Sequence, residues 1–226
     1  MLMIAYAMFF LAGCMIGFQG WWLLRIYGKR HITVMILIDE NSPSVQKYIY
    51  EMMIYFYEIV GFVSEVFQKE FNITFSIRDF HIQKFEQDAY GVRTDLFWRD
   101  IRYTNSLSSE IVVGFTENAI SVYGTHDGTW KRADELDTNV DVGGIVDPKR
   151  LGGVLIRLSG NIKMNTHSAI HEVAHLFGAR HTDSEEDTMY GGQKLALPLH
   201  FDSLNKTRIF WNKRKKFTKE MISSAS

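Results

Sequence analysis

The stretch His171-Glu172-Val173-Ala174-His175-Leu176-Phe177-Gly178-Ala179-Arg180-His181 decides how this chain is read. It falls in a helical pattern from Met164 to Phe177, with Asn165 placed as an N-cap and Ile170, Val173, Ala174 and Phe177 forming one apolar face. Four residues separate His171 from His175, so both imidazoles stand on one side of the helix, a turn apart, where they can share one ion. Glu172 lies beside the first of them and can lean over the same ion without binding it. Gly178 follows the last apolar residue, and a glycine there can take positive φ, end the helix and turn the chain. That turn lets His181 swing back. Three neutral imidazoles with one coordination position left for water are the arrangement of an open zinc site rather than a closed structural one.

A lone His-Glu-x-x-His can arise by coincidence among the 8 histidines of the chain. The extended pattern is harder to reach, with a chance on the order of 10⁻⁵ to 10⁻⁴ from ordinary residue frequencies. At every fixed position it resembles the extended motif of the metzincin metallopeptidases. Met189, in Asp187-Thr188-Met189-Tyr190-Gly191, is similar to that family's Met-turn, where the thioether forms an apolar floor rather than a ligand. The resemblance implies a zinc-dependent endopeptidase. One Zn2+ would be held by His171, His175 and His181, Glu172 would act as general base and Tyr190 as an auxiliary. The implied fold is α+β and zincin-like, with a twisted mixed sheet, two long helices and a small C-terminal subdomain. A strand at the sheet edge, somewhere in Val142 to Leu158, would pair with extended substrate. Thr182 after the third histidine and Tyr190 after Met189 look more like the matrixins than the adamalysins or astacins, although Gly191 stands where matrixins usually carry proline. The cysteines that archaemetzincins place after their third histidine are absent, and no cysteine-switch propeptide precedes the domain.

The chain has 226 residues, 46% hydrophobic and 23% charged, with only 3 prolines. That composition is globular, and the roughly 195 residues beyond an apolar leader suffice for one domain with its own core. Residues 31–226 are expected to form it, as an upper subdomain over 31–178 and a lower one over 179–226. A formal net charge of -1 leaves no electrostatic footprint for nucleic acid, and the basic run Lys213 to Lys216 reads as a solvated helix end. The single cysteine, Cys14, lies in the leader, so neither a disulfide within the chain nor a thiolate ligand is available to the domain. Asp127, Asp134, Asp137 and Asp141 lack the spacing of a calcium loop, and a structural Ca2+ is not supported.

From Met1 to Leu24 no side chain is charged, a length sufficient for one spanning helix. Basic residues follow this run, at Arg25, Lys29 and Arg30, rather than precede it, which favours an anchor over a cleaved signal. Trp21, Trp22 and Tyr27 suit a headgroup interface. Two further readings stay open: Leu11-Ala12-Gly13-Cys14 resembles a lipobox, and Gly13 with Gly17 has a helix-packing spacing. A single-pass membrane protein is expected, its substrates peptides or proteins met near that surface. The side of the membrane stays open, because the flanking charge points to the cytoplasm while most metzincins act outside the cell.

Along the rest of the chain, Ile32 to Ile38 reads as a buried strand leading to a helix start at Asp39 to Pro43. Tyr48 to Phe67 reads as an amphipathic helix, because Lys47, Glu51, Glu58, Glu65 and Lys69 form one polar stripe. Asn72 to Ile77 is a strand, Asp88 to Tyr103 a helix, and Glu110 to Phe115 and Gly153 to Leu158 are strands. Ser121 to Asp147, rich in Gly and Asp, reads as a surface loop, and Phe201 to Phe217 as a capped C-terminal helix. A membrane-anchored domain that holds zinc and a partner without catalysis is the rival reading, and Glu172 argues against it, since a structural site needs no base.

Overall fold

In the computed structural model, residues 28–104, 109–123, 130–132, 143–147, 152–191 and 199–217 are described. The apolar segment 1–24 and the loop carboxylates Asp127, Asp134, Asp137 and Asp141 lie outside them, as does most of the stretch between Tyr190 and His200. No helix among the described residues is long and apolar enough to cross a membrane.

Strand β1 (Arg30–Asp39) is the centre of the fold. Its sequence is apolar on both faces because both faces are covered: Ile32, Val34, Ile36 and Ile38 enter one core, Met35 and Leu37 another. A short helix α1 (Pro43–Lys47) follows, then the long helix α2 (Ile49–Phe71), whose Phe56, Ile59, Val60, Val63, Phe67 and Phe71 are buried. Asn72, at φ 58, closes α2 in the left-handed conformation that asparagine tolerates. Strand β2 (Ile73–Gln83) then returns beside β1 in parallel.

Two short strands, β3 (Gln87–Asp88) and β4 (Gly91–Arg93), come next. The expected helix therefore begins later than Asp88, as α3 (Thr94–Thr104). Asp88 accepts from the backbone N–H of Tyr90 and Gly91, and Gly91 takes φ 132, so a turn occupies the residues a helix would need. Strands β5 (Ile111–Thr116), β6 (Ile120–Tyr123), β7 (Trp130–Arg132), β8 (Gly144–Val146) and β9 (Gly153–Arg157) complete the sheets. The stretch read as a surface loop thus carries β7, β8 and the end of β6, too short for the alternating pattern to show. One sheet has the order β2-β1-β5-β9-β8, parallel except for the antiparallel edge strand β8, and a second has the order β3-β4-β6-β7. The mixed sheet and α+β class match expectation, while the second sheet was not foreseen.

Helices α2, α4 (Ile162–Leu176) and α5 (Ser203–Asn212) pack on one side of the five-stranded sheet. On the other, α3 and the small sheet supply Phe97, Trp98, Ile101, Val92, Ile120 and Val122. Helix α4 starts earlier than the sequence suggested. Asn161, not Asn165, caps it by accepting from the Lys163 N–H, whereas Asn165 is buried one turn in. There its amide donates to the Ser159 carbonyl and to the Tyr55 hydroxyl, and its oxygen accepts from the Ser159 N–H. A polar residue near a helix start reads as a cap, and only packing against α2 shows this one as a buried clasp.

Candidate active site

Helix α4 carries His171, Glu172 and His175, and ends in a Schellman turn: Gly178 N–H bonds the His175 carbonyl at 2.9 Å and Ala179 N–H the Ala174 carbonyl at 3.2 Å. Gly178 sits at φ 89, a conformation costly for any residue with a Cβ. The chain turns back, and His171, His175 and His181 come together as the one such cluster found among the described residues. Their three Nε2 atoms are each 3.1 Å from the other two.

Hydrogen bonds on the far side of two rings decide what those nitrogens present. Nδ1 of His171 lies 2.9 Å from the Thr188 carbonyl and Nδ1 of His175 2.8 Å from the Ala179 carbonyl. A carbonyl only accepts, so each Nδ1 carries a proton, and in the neutral form of the ring each Nε2 then offers a lone pair. Burial, with the neighbouring His175 as the next cause, holds His171 down to about 3 and so neutral at physiological pH. Lone pairs facing each other at 3.1 Å repel unless a cation lies between them. With that spacing the triangle has corners about 1.8 Å from its centre, close to the roughly 2.0–2.1 Å of a zinc–imidazole bond. The donor set and its spacing therefore suit Zn2+.

Glu172 is 8% exposed, accepts no hydrogen bond from the described residues, and is pushed up to about 8 by burial alone. It faces edge strand β8. A Cβ at Gly144 would meet its Cγ at 2.7 Å, and one at Gly143 would meet the Ser168 Oγ at 2.3 Å. Ser168 and Glu172 are one turn apart on α4, so two consecutive glycines let the strand lie directly on that helix face. Gly144 is a site residue that sequence reasoning passed over inside its Gly-rich stretch.

The segment around Met189 is tied to both sides of the cluster. Met189 is fully buried in the main core, its N–H bonds Asp187 Oδ1 at 2.6 Å, and its carbonyl accepts from Thr182 N–H at 2.9 Å. Tyr190, half-buried, pairs by backbone with Thr182, the residue after His181. Helix α5 adds two fasteners. Asn205, fully buried, accepts from the Arg180 N–H at 2.9 Å and donates to the Arg180 carbonyl at 3.0 Å, holding the backbone just before His181. Asp187 Oδ2 accepts from the Asp202 N–H at 2.7 Å, while Asp202 caps α5. No local sequence signal marks Asn205, because its partner is 25 residues away.

Solved structures with a TM-score of at least 0.50 share the fold. Archaemetzincin from Methanopyrus kandleri superposes with a TM-score of 0.53 at 12% identity, covering 82% of this chain and 97% of its own. Metalloproteinase-II from Bacteroides fragilis gives 0.50 at 16%, covering 82% and 54%. A zinc-dependent peptidase from Methanocorpusculum labreanum gives 0.47 at 16%, covering 78% and 99%. No curated protein matches the sequence. The model of the reprolysin-like M12B metallo-peptidases matches residues 53–182, more than half of the chain and ending just past the third histidine. On that match, and with the histidine cluster and mixed sheet in place, the chain belongs to the reprolysin-like M12B metallopeptidase family.

Proposed function

We propose that this protein is a zinc-dependent endopeptidase in which His171, His175 and His181 hold the ion and Glu172 is the general base. The observation that carries the reading is the convergence of three Nε2 atoms at 3.1 Å, two of them on rings whose Nδ1–H is held by a backbone carbonyl, beside a buried carboxyl with no hydrogen-bond partner among the described residues. When bound, zinc supplies Lewis-acid polarisation of a water and of the scissile carbonyl. Glu172, as a carboxylate, takes the proton of that water and passes it to the leaving amine; burial alone favours its protonated form, and a cation held by the neighbouring histidines would favour the ionised one. Gly144 keeps the Glu172 side chain between α4 and strand β8. As the antiparallel edge of the sheet, β8 is the strand that an extended peptide would lengthen. Tyr190 is the auxiliary hydroxyl for the developing oxyanion.

The apolar run from Met1 to Leu24 supports a single-pass membrane tether, which would favour substrates met close to that surface. Zinc content and cleavage of a quenched random peptide library test the proposal, with Glu172→Gln alongside. One equivalent of zinc and turnover lost only in the variant are expected. Zinc without cleavage in the wild type would favour the partner-binding reading, and absence of zinc would overturn the assignment.

A further inference from the structure

The strongest feature outside the site is a collection of cations from both ends of the described chain. Arg30, buried at the start of β1, donates one guanidinium nitrogen to the Lys213 carbonyl and another to Glu110 at 2.7 Å. Its guanidinium carbon lies 5.4 Å from the Phe217 ring centre and 5.8 Å from that of Phe177. This clasp fixes the segment after α5 against the first residues of the domain. Beside it Arg214 donates to the Lys29 carbonyl at 3.2 Å. Lys29, Arg214 and Lys216 are exposed, and Lys215 is half-exposed with its ammonium 5.5 Å from the Phe217 ring centre. Trp211, 50% exposed, stands in the last turn of α5, two residues before the turn that carries Lys213 and Arg214. Since the whole chain carries only -1, this is a local excess of positive charge.

The short connection after Leu24 limits how far from the apolar run that excess can lie. Five residue steps separate Leu24, the end of the run, from Lys29, and a fully extended chain spans at most about 18 Å over that length. We propose that Lys29, Arg214, Lys215, Lys216 and Trp211 form a membrane-docking surface for anionic phospholipid headgroups, which fixes the orientation of the domain on the bilayer. Exposed cations next to an exposed Trp are the composition that settles at a headgroup interface, and each cation near an anionic leaflet strengthens association roughly fivefold. A basic run that reads as a solvated helix end in sequence comes to lie beside Lys29 and Arg30 only in the fold, with Lys213 itself buried. The inference does not depend on catalysis.

The test is amide hydrogen exchange of the full chain in phosphatidylcholine vesicles with and without phosphatidylserine. Exchange across residues 211–217 should slow by roughly fivefold or more with phosphatidylserine, in line with one or more engaged cations. Raised ionic strength and the double variant Arg214→Glu, Lys216→Glu should erase the effect, while Lys163→Glu, an exposed change on α4, should keep it. Unchanged exchange in β1 and α4 shows in the same spectra that the variants are folded. Equal exchange in both vesicle types would overturn the proposal, as would full protection in the double variant or protection by soluble glycerophosphoserine alone.

Discussion

Glu172→Gln should stabilise the metal-free protein, and by more the higher the pH. An unfolded glutamate releases its proton near 4.5, whereas the folded carboxyl is pushed up to about 8 by burial. Between those values the folded state binds more protons, so the stability present below pH 4.5 is lost as the pH rises towards 8. At neutral pH the displacement amounts to about 3 kcal/mol, from roughly 1.4 kcal/mol per pH unit over the interval above 4.5. Glutamine keeps the shape and stays neutral at every pH, so it avoids this cost. The shift at His171, held down to about 3, is common to both proteins and cancels in the difference. Thermal unfolding of chelated full-length protein in mild detergent should show the variant level with wild type near pH 4.5 and higher by roughly 6–12 °C at neutral pH, at about 2–4 °C per kcal/mol for a chain of this size. Zinc should narrow the gap, because a cation beside the carboxylate repays its desolvation. A difference that does not change with pH would refute the argument, since it would mean the carboxyl is not desolvated in the fold.

Three other substitutions probe the support around the cluster and at the end of β1. Asn205→Ala leaves both backbone groups of Arg180 without their partner and should weaken zinc binding by roughly tenfold or more, read by competition with a chromophoric chelator. Gly144→Ala puts a methyl 2.7 Å from the Glu172 Cγ and should cost on the order of 10²-fold in kcat with zinc content unchanged; a fall in KM-dependent terms alone would argue that strand β8 only binds substrate. Asp39→Ala removes an acceptor used by Asn41 N–H, Phe85 N–H, the Thr116 hydroxyl and the Asn118 amide, all around the C-terminal end of β1. It should lower stability by about 3 kcal/mol or more in urea unfolding, with the remaining activity per folded molecule preserved.

Local patterns carry the parts of this protein that depend on local physics. The offsets among His171, His175 and His181 are fixed by helical pitch and by a glycine turn, so sequence alone places the first two on one side of a helix and predicts the reversal after Gly178 that returns the third. Likewise, β1 and α2 announce themselves through a continuous β-branched run and a polar stripe at helical period, because each buries a whole face. Relations between distant segments have no such period. Asn165 has the composition of a cap and the environment of a buried clasp. Gly144 reads as loop punctuation until its missing side chain is seen to make room for Glu172. Asn205 and Asp187 take their partners from backbone that only the packing of α5 brings near. The burial that lifts Glu172 and the clasp that lays Lys213 to Lys216 beside Lys29 are likewise properties of the folded chain: desolvation and long-range contact exist only once the segments have met.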